Sequence, residues 1–203
     1  MALSRSKAVA ELLRHARHIP DFGEIISVLG DFEQSTRNGT ADKRAFILIC
    51  VGILEYALAV AISSQLRNLS PKGKAKLFDG DPEREAIIGS LYSRNIVANA
   101  FDIYGDKTYS EIDSIRMIRN AVAHAIHDKD ISPDILASLC DFHAITERMT
   151  MALGTVPYAG LLAPKSPMHA MATFIQMIVP YLLLHSSADW SPINRAQWRA
   201  AFS

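Results

Sequence analysis

Ala45–Ile62, AFILICVGILEYALAVAI, is apolar on nearly every face of a helix and approaches the length that crosses a bilayer. Glu55 stands near its middle, where an ionised carboxylate is costly in lipid, and no second run of comparable quality follows directly. The spacing therefore predicts a helix from about residue 42 to 66 that is surrounded by other helices. It is read as the centre of an all-α bundle, with no membrane span.

The flanking sequence supplies the helices that would surround it. Phe22, Ile25, Ile26, Leu29 and Phe32 recur at core spacing over a helix from Phe22 to about Gln34, and Asn38-Gly39 reads as a turn. Residues 5 to 18 set Val9, Leu12, Leu13 and Ala16 against Arg14, His15, Arg17 and His18, a solvated helix face ended by Pro20. Downstream, Ser70-Pro71-Lys72-Gly73 reads as a break and Leu77-Phe78-Asp79-Gly80-Asp81-Pro82 as a turn-rich link. Asp81 as N-cap and Pro82 at the first helical position predict a helix from Pro82 to about Ile103. Ser132-Pro133 opens another by the same device, running to about Leu153 with Ile135, Leu136, Leu139, Phe142, Ile145 and Met149 inward.

Gly154 to Pro167 reads as a surface linker. The run MHAMATFIQMIVPYLLLH that follows is apolar enough to require packing on the core or on a second subunit, with a kink at Pro180. A last short helix opens at Ser191-Pro192 and carries Trp190, Arg195, Trp198 and Arg199 in or beside it. The expectation is a bundle of six to eight helices, with residues 1–153 as the domain and 154–203 as a C-terminal helical extension.

Composition narrows the function. The 21 basic and 21 acidic residues cancel, so no global field draws nucleic acid to the chain. Cys50 and Cys140 show neither metal spacing nor a disulfide framework and read as core thiols in a reducing compartment. The N-terminus lacks a secretory pattern, and the expected location is the cytoplasm. Phosphate loop, dinucleotide turn and serine elbow are absent, and the seven histidines do not fall at zinc-protease spacing, so no metal or cofactor is expected.

Unusual polar residues gather in one place, Asp113 to His127, DSIRMIRNAVAHAIH. Ile115, Ile118, Val122 and Ile126 make an apolar helical stripe, and Asp113, Arg116, Asn120, His124 and His127 make a polar stripe opposite. Arg119 falls at the edge of the apolar stripe, where a permanent charge needs a partner. Glu55 is the economical one. Stranding either member of such a buried pair would cost about 3–5 kcal/mol.

The run from Ile115 to His124 resembles the Leu-x-x-Ile-Arg-Asn-x-x-Ala-His signature of the mannitol operon repressor (MltR-like) family. It is also similar to the looser Arg-polar-His motif of the HEPN helical superfamily. Upstream, Leu77-Phe78-Asp79-Gly80 resembles the first family's Leu-Phe-x-Gly turn, and Ser90, Ser93 and Arg94 its serine and basic segment. Asp102 stands where that family tends to have glycine, and Pro82-Glu83 where it has Pro-Leu. The resemblance covers roughly residues 28 to 150.

It implies a bacterial cytoplasmic regulatory module, a homodimer, acting through a protein partner or a small anionic ligand. Arg116, Asn120, His124, His127 and Glu55 would be its binding residues. Direct operator reading is not expected, because no short helix pair leads into a basic recognition helix. The HEPN resemblance implies an alternative, a metal-independent ribonuclease at a homodimer cleft. There His124 would exchange protons with the ribose 2′-hydroxyl or the leaving oxygen, Arg119 would hold phosphate charge and Asn120 would orient. Geometry separates the readings: an enzyme needs His124 exposed in a shared cleft with Arg119 free to meet phosphate, and a structural role buries Arg119 against Glu55.

Overall fold

The computed structural model describes residues 22–37, 43–66, 68–80, 85–124, 167–185 and 202. They form an all-α bundle of six helices: α1 Phe22–Arg37, α2 Lys43–Gln65, α3 Pro71–Phe78, α4 Leu91–Ala100, α5 Asp106–His124 and α6 Pro167–Leu184. The helices read from residues 5–18, 132–153 and the Ser191-Pro192 stretch lie outside the described residues.

α2 packs against α1, α4, α5 and α6. Ile47, Leu54, Leu58 and Ile62 are fully buried along it, as are Cys50, Ala57 and Ala61 where a neighbouring helix comes close. By length and composition α2 could cross a membrane, and half of its apolar window is buried within the bundle. α6 lies along α2, continues through Pro180 as one helix and buries Tyr181, Leu182, Leu183 and Leu184 in succession. Tyr181 then reaches sideways. Its hydroxyl donates to the Ile103 carbonyl, and its ring lies 4.6 Å from that of Phe202, whose own carbonyl accepts from Gly105 N–H at 2.9 Å. The corner between α4 and α5 is thereby tied to α6.

Two boundaries differ from the sequence reading. Ser70-Pro71 starts a helix where a break was expected: Ser70 Oγ accepts from Gly73 N–H at 3.1 Å and Pro71 takes the first turn. Just past the end of α3, Gly80 at φ 76° lets its N–H close back on the Ala75 carbonyl. The helix expected from Pro82 to about Ile103 covers Leu91–Ala100 among the described residues. Ser90 and Ser93 cap its start reciprocally, each hydroxyl accepting the other's backbone N–H. Residues 85–90 run up to that cap without helix, and Ile88 N–H bonds the Leu77 carbonyl at 2.7 Å. α4 finishes through Asp102 at φ 57°, a left-handed position.

Arg94 on α4 fastens these segments together. Its Nε donates to the Ile88 carbonyl at 2.9 Å, Nη1 to that of Glu55 at 2.8 Å and Nη2 to that of Phe78 at 3.2 Å. The guanidinium carbon also sits 5.8 Å from the centre of the Phe78 ring. One planar group thus joins α2, the end of α3 and the approach to α4. Substituting Arg94→Ala should lower stability by about 2–4 kcal/mol in urea denaturation, since charge-assisted bonds to partly buried carbonyls are lost. Arg94→Lys should restore less than roughly half of that, because a single ammonium cannot address three diverging acceptors.

A neutral network closes the α4–α5 corner. The buried Tyr104 hydroxyl donates to Asn95 Oδ1 at 2.7 Å, and Asn95 Nδ2 donates to the Tyr109 carbonyl at 3.0 Å. Burial pushes the Tyr104 phenol up, with the nearby Tyr109 and Tyr181 adding to the shift. Burial likewise pushes the Cys50 thiol from 9.0 up to about 12. Both groups stay protonated in the fold at pH values where the unfolded chain releases its protons. The contribution of the Cys50 thiol is therefore complete below pH 9.0 and is lost as pH rises toward 12, and that of the Tyr104 phenol begins to be lost only above pH 10.0. Urea midpoints measured across that interval should fall, and Cys50→Ala should make the fall shallower, by up to about 1.4 kcal/mol per pH unit.

Candidate functional site

α5 takes its orientation from its apolar stripe. Ile112, Ile115, Ile118 and Val122 are all buried, and the helix packs on α2 and α4 through that side. The opposite side carries the residues singled out in the sequence. Asp113 and Arg116 pair along the helix, with Nε to Oδ1 at 2.6 Å and Nη2 to Oδ2 at 3.3 Å. The hydrogen bond to Asp113 pushes the Arg116 guanidinium further up, against a smaller opposing effect of burial. Its carbon also lies 5.4 Å from the ring centre of Tyr92 on α4. Arg116 is thus committed on two sides.

Arg119 is exposed and donates Nη1 to Asn120 Oδ1 at 3.2 Å. The expected pair with Glu55 does not form among the described residues. Glu55 is half-buried on α2, and its backbone carbonyl serves Arg94. The physical reason is the length of the arginine side chain. At the edge of the apolar stripe its stem lies along the surface and the guanidinium reaches water, which costs less than desolvating two charges to meet inside. Glu55 therefore stands apart from the α5 stripe.

Asn120 is half-buried and His124 is exposed in the last turn. His127 lies outside the described residues. The structure thus places Arg116, Asn120 and His124 along one outward side, with Arg119 beside Asn120. Chemically the arrangement offers a guanidinium with no ion pair among the described residues, a polar amide it already touches and, one turn on, a titratable ring. No group of three or more His, Cys, Asp or Glu among the described residues is placed to hold a metal ion.

Sequence reasoning passed over Tyr92 and the role of Arg94. Tyr92 shows no motif, and its use as a platform for Arg116 depends on how α4 lies against α5. Comparison with protein-family models, curated proteins and solved structures finds no match to this chain.

Exposure of Arg119 changes what its removal should do. Arg119→Ala should leave the denaturation midpoint within about 0.5 kcal/mol of wild type, as for a surface substitution. A buried pair with Glu55 would instead lose about 3–5 kcal/mol.

Proposed function

We propose that the chain is a bacterial cytoplasmic regulatory module of the mannitol repressor-like type, whose outward side of α5 meets a protein partner or a small anionic ligand. The observation that carries this reading is Arg119: it is exposed, makes no ion pair among the described residues, and stands beside Asn120 with His124 one turn away. The neighbouring motif residues already have structural work, since Ser90 and Ser93 cap α4 and Arg94 clamps three carbonyls. Of the motif residues described, those of the α5 stripe are what is left over.

Two backbone features support the family resemblance. Leu77-Phe78-Asp79-Gly80 ends α3 with a left-handed glycine, and Asp102 holds a left-handed conformation at the place where the family tends to have glycine. The balanced charge favours a local anion or a protein over nucleic acid.

A metal-independent ribonuclease is the second reading, favoured by the same exposure of Arg119 and His124 on one helix. The two are separated by incubating mixed-sequence single-stranded RNA with the purified full chain and with His124→Ala, EDTA present and folding checked by circular dichroism. No cleavage by folded wild type is the expected result and supports the regulator. Thermal denaturation with added inorganic phosphate should then show stabilisation that Arg119→Ala removes if the ligand is anionic, and no phosphate effect if the contact is with protein. Cleavage that disappears in a folded His124→Ala variant would replace the regulator with the ribonuclease.

A further inference from the structure

α4 and α5 lie side by side with part of their joint surface open to solvent. Asn95 Nδ2 on α4 donates to the Tyr109 carbonyl at 3.0 Å, and the Arg116 guanidinium carbon lies 5.4 Å from the centre of the Tyr92 ring. Advancing along α4 from Tyr92 to Asn95 thus means going back along α5 from Arg116 to Tyr109, so the two helices run antiparallel with Tyr92 level with Arg116. Tyr92 and Ile96, one turn apart on α4, are 51% and 39% exposed, and Ile87, just before the α4 cap, is 74% exposed. In the other direction, past Arg116, the surface continues into Arg119 and Asn120. It is a strip that passes from apolar side chains to a cation.

The charges say what fits it. Asp113, the acidic side chain on this side of α5, is spent on Arg116, and Arg119 keeps its charge with no ion pair among the described residues. A small anion would engage Arg119 and leave Tyr92 and Ile96 in water. A nucleic-acid backbone needs several phosphate contacts and would meet Asp113 on the way. An acidic amphipathic helix answers both ends of the strip at once. Building on the reading of α5 as a recognition surface, we infer that this strip docks such a helix from another protein, with apolar residues over Ile96 and Tyr92 and a carboxylate on Arg119. Ile96 to Tyr92 spans about 6 Å along the axis and Arg116 to Arg119 about 4.5 Å. Together they make about 10 Å, or two helical turns, so the partner shows two apolar residues one turn apart and Asp or Glu one turn further along the same face. The contact starts with little left to order, because Arg116 already holds the Tyr92 ring.

The test is selection on the folded full chain from a library of alanine-based helical peptides randomised along one face over two turns, followed by fluorescence anisotropy of the selected peptides. They should carry Asp or Glu at one end of the face and large apolar residues over the rest, and bind with Kd below roughly 100 μM. Tyr92→Ser and Ile96→Asp should each weaken binding about 10-fold or more while keeping the circular dichroism of wild type. Selection on Arg119→Glu should exchange the acidic residue for Lys or Arg, a reversal that a merely structural effect would not produce. The inference is overturned if no peptide is selected, if the selected face shows no preference for an acid, if binding survives in Tyr92→Ser and Ile96→Asp, or if Tyr92 supports binding of single-stranded RNA instead. Failure here is distinguishable from failure of the regulator reading. Phosphate stabilisation through Arg119 without peptide selection removes the helical partner alone, whereas RNA cleavage that is lost in His124→Ala removes both.

Discussion

The guanidinium of Arg94 is the joint on which the arrangement of the bundle depends. Helices that pack by apolar stripes can slide, because dispersion and hydrophobic contact have little directionality. A planar group donating to the carbonyls of Glu55, Phe78 and Ile88 has direction, and it fixes α4 against the middle of α2 and the end of α3. The end of α3 and the residues that lead into α4 acquire a defined course through it. The reciprocal serine cap at Ser90 and Ser93 begins α4 at the right residue for Arg94 to point inward.

The sequence made the bundle legible where one physical signal stood alone. Periodicity placed α1 and α2 to within a few residues, since no competing pattern crosses them. It failed at α4, where Asp81-Pro82 and Ser90 both carry cap chemistry and only the folded path, with Ile88 bonded to Leu77, favours the second. The Arg94 clamp was invisible because its acceptors are backbone carbonyls, which every residue possesses. The Glu55–Arg119 pair was expected from a count of unmatched charges. Angular position on a helix wheel does not say whether a long side chain turns inward or lies back over the surface.

For the same reason the α5 stripe was half legible. Its outward face followed from the burial of Ile115, Ile118 and Val122, and Asp113, Arg116, Asn120 and His124 stand where that stripe puts them. What the spacing did not reveal is the division of labour between two arginines three residues apart. Arg116 is neutralised by Asp113 and seated against Tyr92, while Arg119 remains exposed beside Asn120. α5 thus carries one cation that serves the local structure and another that is exposed.

The tie between Tyr181 and Ile103 spans 78 residues of chain. During synthesis the α4–α5 corner leaves the ribosome well before the residues that brace it, at a few residues per second to roughly twenty. For those seconds Ile103 and Gly105 lack their later partners, and the apolar surface destined for α6 is open to solvent or to a chaperone. A bundle whose helices are locally encoded thus completes its core only after elongation has delivered α6, the most apolar of the described helices, so the order of translation, as well as the final contacts, shapes how safely it folds.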